Sequence, residues 1–240
     1  MNRLICDNLI ISAGEFMVLS ALCGITKVDF PMKKRQEIPD QKEVNLILFQ
    51  LYQKQILRMD GQHTCSLNPE IKKIFEGIKK AVYEVQIHSL EKQNPLVVFA
   101  GKEPVVAELS ENDREALKFH CISGESFLKE LRTRNILPSE KEPKSGVSLQ
   151  EENPELYEQI RKKYQTFIQN AHVDHAGLLE CLKQRELRAF FIIRDRQSDT
   201  EKAVVLLLDC GIWDCTVYME PGHMEISYYT EREMQEILLG

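Results

Sequence analysis

Apolar residues recur along this chain with two different periods, and the changes of period divide it into segments. Phe16, Leu19 and Cys23 follow at helical spacing after Ser12-Ala13-Gly14-Glu15, a capping box in which the serine hydroxyl caps the helix start and Glu15 reaches back. Gly24 supplies the left-handed position that ends a helix, so residues 13–23 are predicted helical. Pro31, Pro39 and a charge run make residues 24–39 a loop. Asp40, with Glu43 three residues on, opens a second helix over 41–56, whose stripe is Val44, Ile47, Leu48 and Leu51. Asp60-Gly61 marks a hairpin within 57–67. Asn68-Pro69 then starts a long helix, which Ile71, Ile74, Phe75, Ile78, Val82 and Val85 carry to about residue 90. Helix, helix, hairpin and long helix together predict a winged-helix-like N-terminal part.

The pattern then shortens to strands. Leu96–Ala100 and Val105–Leu109 flank Gly101-Lys102-Glu103-Pro104, and Leu117–Ile122 alternates as a third strand before a helix capped by Ser123. Residues 138–153 are proline- and glutamate-rich with few apolar groups, the composition of a mobile linker. A helix from Asn153-Pro154 carries Leu156, Ile160, Tyr164, Phe167 and Ile168, and a shorter one spans about 175–186. Strands at 187–194, 203–209, 212–220 and 224–229 read as a sequential antiparallel sheet, and Arg232–Leu239 as a terminal helix. The expected class is α+β: the winged-helix-like part, then antiparallel sheet and helices. The chain divides into a half at 1–137, the linker at 138–153, and a C-terminal half at 154–240 with a four-stranded antiparallel sheet. Asn68-Pro69-Glu70-Ile71 and Asn153-Pro154-Glu155-Leu156 echo one another, either as a trace of two related units or as a common helix start used twice.

Composition narrows the function. The 240 residues include 31 Lys+Arg against 37 Asp+Glu, a net charge of −6, with the basic run Lys33-Lys34-Arg35 set among acids. Nucleic-acid binding needs clustered cations to release counterions, so an acidic chain argues against it. The 7 cysteines are odd in number, scattered, and form no Cys-x-x-Cys pair, which suits free thiols in a reducing cytoplasm better than a disulfide framework. Asp7, Asn8 and Glu15 interrupt the apolar start, and no run approaches the ~20 apolar residues of a membrane span. The expectation is a cytoplasmic protein without membrane insertion.

No phosphate-cradling glycine loop, dinucleotide fingerprint or nucleophile elbow occurs, so no catalytic, cofactor-binding or metal residue is assigned. His172-Val173-Asp174-His175 has the spacing of a metal pair, but Asp174 reads more simply as a helix cap. His63 and Cys65 share a strand face without a second ligand pair. Cys210 and Cys215 have Asp209 and Asp214 beside them, whose charge opposes thiolate formation. Trp213, Tyr218, Tyr228 and Tyr229 concentrate on two predicted strands, and adjacent tyrosines cannot both face one core, so these four are the partner-binding candidates. A sheet face covered by the terminal helix explains them equally well.

The opening Ile11-Ser12-Ala13-Gly14-Glu15-Phe16-Met17-Val18-Leu19, with Gly24-Ile25 and Phe30-Pro31, resembles the start of EspG-type proteins, as does the order of elements that follows. Those are cytosolic chaperones of type VII (ESX) secretion. The resemblance implies two similar α+β halves around a central sheet, in a shorter, distant Gram-positive relative. It implies a non-catalytic chaperone or adaptor whose partner is a helical-hairpin substrate of the WXG or LXG type. No partner-contacting motif matches position by position, so it assigns no site residue. The rival readings are a winged-helix DNA-binding regulator and an enzyme or metal protein built on His172, Asp174 and His175. In the first, helix 41–56 would read DNA with only Lys42 and Lys54 as cations.

Overall fold

The computed structural model describes residues 9–25, 39–59, 65–90, 92–110, 116–138, 148–169, 172–184, 186–211 and 214–239. The first elements are β1 (Leu9–Ser12), α1 (Ala13–Leu22), α2 (Gln41–Gln53), β2 (Leu57–Met59), β3 (Cys65–Leu67) and α3 (Pro69–Lys80). Four strands follow, β4 (Tyr83–Ser89), β5 (Lys92–Phe99), β6 (Val105–Leu109) and β7 (Ala116–Cys121), and then α4 (Gly124–Thr133). Next come α5 (Leu149–Glu152), α6 (Pro154–Tyr164), the short pair β8 (Ile168–Gln169) and β9 (His172–Val173), and α7 (His175–Leu182). The chain closes with β10 (Leu187–Asp195), β11 (Thr200–Asp209), β12 (Asp214–Glu220), β13 (His223–Tyr228) and α8 (Glu231–Leu239).

The protein is an α+β chain built on one nine-stranded antiparallel sheet in the order β1-β7-β6-β5-β4-β10-β11-β12-β13. Two four-stranded meanders, β4 to β7 and β10 to β13, meet where β4 pairs with β10 from Ser89↔Ala189 to Tyr83↔Asp195. Cross-strand partners share a sheet face. Val97, Gln86 and Ile192 form one such row, and Val98, Val85 and Ile193 another on the opposite face. The first face is covered by α1, α2 and α3 over one meander and by α5, α6 and α7 over the other. The second face holds a single core that spans the seam, where Phe127, Leu128 and Leu131 of α4 and Met234 and Leu238 of α8 pack on strands of both meanders.

Local signals account for most helix starts. Ser12 and Glu15 form the predicted capping box, as do Asp40 and Glu43, and Asn68 and Asn153 cap helices that carry proline in their first turn. Gly24 takes φ +67° where α1 ends. Gly77 lets α3 lie close on the sheet, because a Cβ there would stand 2.7 Å from Val105 Cγ2.

The predicted long helix is corrected: it stops at Lys80, Ala81 is extended (φ −61°, ψ 129°), and residues 83–89 form a central strand. Val85 and Ile87, placed on the helical stripe or beyond it, instead alternate with Glu84, Gln86 and His88 at period two. The second helix ends at Gln53 and not near 56. Ser148 caps α5, and Leu149 is buried with α6 and α7, so this end of the predicted 138–153 linker is part of the fold. The rest of that segment, 139–147, and the Asp60-Gly61 turn lie outside the described residues. The hairpin strands flanking that turn pair with each other from Leu57↔Leu67 to Met59↔Cys65.

Two contacts tie distant elements together. Lys54, after α2, donates to Glu15 Oε1 of α1 at 2.7 Å, and the backbone N–H of Ser12 donates to Glu15 Oε2 at 2.8 Å. Arg196, in the β10–β11 turn, donates to the carbonyls of Ile78 and Ala81 at the end of α3 and lies 5.3 Å from the Phe99 ring centre. Helix ends leave carbonyls without intrahelical partners, and this guanidinium supplies one. No helix among the described residues is long and apolar enough to cross a membrane.

Candidate functional site

The three described tyrosines of the C-terminal aromatic group lie on both faces of the sheet. Tyr218 and Tyr229 pack against the core under α4 and α8, on the second face. Tyr228 packs on the first face, and its hydroxyl donates to Glu152 Oε2 at 2.9 Å. Burial, with that carboxylate beside it, raises the Tyr228 phenol to about 12. Trp213 lies outside the described residues.

The histidine motif is likewise dispersed. Asp174 Oδ1 accepts from Gly177 N–H at 3.0 Å and so caps α7. His175 Nε2 stands 2.9 Å from Glu201 Oε2, whereas His172 lies on β9. No group of three His, Cys, Asp or Glu among the described residues is arranged to hold a metal ion. Cys65 is exposed, and His63 lies outside the described residues, as does the run Lys33-Lys34-Arg35. The hydrogen bond with the Cys210 sulfur first, and burial second, raise the Cys215 thiol, and Cys210 is lowered by the same bond.

Two polar networks join side chains at the helices to side chains of the sheet. Arg134, just after α4, forks onto Glu108 at 2.9 and 3.5 Å and also reaches Glu130, whose carboxylate accepts from His120 Nε2 at 3.3 Å. The hydrogen bond to His120 is the main reason the Glu130 carboxyl lies below its usual range. At the other end, Thr216 and Ser227 hydroxyls bond at 2.7 Å, with Glu233 of α8 beyond. Both arrangements hold helices on the sheet.

The outer surface of α2 is different. Val44, Ile47, Leu48 and Leu51 face the core as predicted. On the other side, at three-residue spacing, Leu46 is 58% exposed, Phe49 57% and Tyr52 51%. Their spacing places them on one stripe of the helix surface. Leu22 at the end of α1 and Met59 on β2 are also exposed. Half-exposed side chains of this size leave on the order of 300 Å² of apolar surface from α2 alone, in the range of patches that mark interaction sites. Sequence reading took the inward stripe and passed over the outward one. The signal was present: α2 is apolar at positions 44, 46, 47, 48, 49, 51 and 52, more of its circumference than one core can cover. No family model and no curated protein matches this chain.

Proposed function

We propose that this protein is a non-catalytic chaperone or adaptor, and that the outer stripe of α2 is where it holds its partner. The observation that carries the reading is the exposure of Leu46, Phe49 and Tyr52 along one side of a helix whose other side is already buried. An amphipathic helix laid beside α2 would cover that stripe by ridges-into-grooves packing. The resemblance to EspG-type chaperones gives the partner a class: a helical-hairpin substrate of the WXG or LXG type, bound in the cytosol before type VII secretion. The three residues alone fall short of the roughly 800 Å² per partner of a stable interface, so the contact extends to further side chains, for which the exposed Leu22 and Met59 are the candidates.

The same stripe weighs against DNA reading by a winged helix. A recognition helix presents cations and amides to base edges and phosphates, whereas α2 presents Leu46, Phe49 and Tyr52. The test is co-expression with helical-hairpin proteins encoded beside its gene, followed by co-purification. The expected result is a stoichiometric complex with one of them; recovery of the free chain in every case would refute the reading.

A further inference from the structure

Two cysteines meet where β11 gives way to β12. The last pairs of that ladder are Leu208↔Cys215 and Asp209↔Asp214, so Cys210 is the first residue past it and stands diagonally across from Cys215. Both side chains lie on the first face. Cys215 is fully buried in the core that holds Leu187 and Leu208, and the half-buried Cys210 packs on that same core. Their sulfurs share a hydrogen bond, with the Cys215 thiol donating to Cys210. One member of the pair is thus within reach of solvent, and the other is closed off from it.

That hydrogen bond is the main reason the Cys210 thiol lies below its ordinary range. It outweighs burial and the Asp214, Asp209 and Glu186 carboxylates, which all act in the opposite direction. The same carboxylates repel anionic reagents, so a neutral one reaches Cys210 most readily. Tyr164 of α6 supplies an independent sign. Its hydroxyl is buried with no hydrogen-bond partner among the described residues. Burial raises its phenol, and Cys181, Glu186 and Cys210 add to that. A buried donor left open beside thiols suits a sulfur that carries negative charge for part of a reaction.

We infer that Cys210 and Cys215 form a reversible redox modification site, in which Cys210 attacks a small neutral disulfide and Cys215 displaces the adduct by bonding to Cys210. In the first step the Cys210 thiolate attacks one sulfur of R–S–S–R. That S–S bond breaks, a bond to Cys210 forms, and the departing R–S⁻ takes up the proton that Cys210 gave away. Cys215 then loses its proton and attacks Cys210 Sγ, and the second R–S⁻ leaves as a thiol. The dithiol loses an electron pair, and R–S–S–R gains it. A diagonal pair is set slightly wider than an ordinary disulfide, and Cys210, past the ladder, is where the small closing movement falls. The new bond ties the end of β11 to the start of β12.

The inference does not depend on α2. The probe is bis(2-hydroxyethyl) disulfide, added to the reduced full chain and followed by alkylation under denaturing conditions and peptide mapping. Cleavage at lysine and arginine leaves both cysteines in the peptide from Ala203 to Arg232. Both should be alkylated before treatment and neither after it, with alkylation restored by dithiothreitol. In Cys215→Ala the adduct cannot be displaced, so hydroxyethylthio-Cys210 should accumulate at least about tenfold more than in the wild type. A melting curve checks that this variant keeps its fold, and the wild-type map stands without it. Persistent alkylation of both cysteines, a bond from Cys210 to any other cysteine, or equal adduct in the two proteins would overturn the inference.

Discussion

His88 shows how a single side chain acquires a property that its neighbours in sequence do not announce. On β4 its ring stacks on Phe190 at 4.5 Å between centroids, and its Nε2 is buried without a hydrogen-bond partner. Burial first, and His175 second, lower its pKa from 6.5 to about 4. The folded chain keeps His88 neutral while the unfolded chain takes up the proton, so this contribution is intact above about 6.5 and is lost as pH falls toward about 4. Between pH 7 and 5 it amounts to about 2 kcal/mol. Urea unfolding at the two pH values should therefore show a smaller acid loss, by about that amount, in His88→Gln. Arg196 is a second case. Arg196→Ala leaves the Ile78 and Ala81 carbonyls without that donor, and denaturant unfolding should show a loss of about 1–3 kcal/mol. Caps such as Ser12, Asp40 and Asn153 were legible because a cap needs only the next few residues. Neither His88 nor Arg196 was, because their partners arrive from more than a hundred residues away.

Among elements, α2 and β4 mark the two ways in which a periodic pattern misleads. Val82 and Val85 fit the helical period begun by Ile71, so α3 seemed to continue, yet Val85 and Ile87 answer to the period of a strand that pairs on both sides. A short apolar run suits either element, and only tertiary pairing decides between them. In α2 the type was right and the missing information was which apolar residues stay uncovered. The helix is anchored at its far end by Lys54, whose ammonium meets the nearly fully buried Glu15 carboxylate. Lys54→Met should cost about 1–3 kcal/mol, since it strands a buried charge, and adding Glu15→Gln should return part of that. A double-mutant cycle by equilibrium unfolding measures the coupling.

At the scale of the whole molecule the two meanders are parts of one sheet. The pairing of β4 with β10 and the shared core beneath α4 and α8 leave no layer that belongs to one half alone on the second face. Thermal unfolding followed by near-ultraviolet and by far-ultraviolet circular dichroism should give coincident transitions, whereas separately stable halves would give two. The α+β class, most strands and the terminal helix could be read from the chain; the single nine-stranded sheet could not, because the seam pairs residues a hundred or more positions apart. The patch on α2 belongs to this scale as well, since it is defined by what the rest of the molecule leaves uncovered. The most direct measurement is titration calorimetry of the co-purified partner against the wild-type protein and Phe49→Glu, with the melting temperature of each. Phe49 is more than half exposed, so the account predicts unchanged melting and binding at least tenfold weaker. Equal affinity in the two proteins would contradict it.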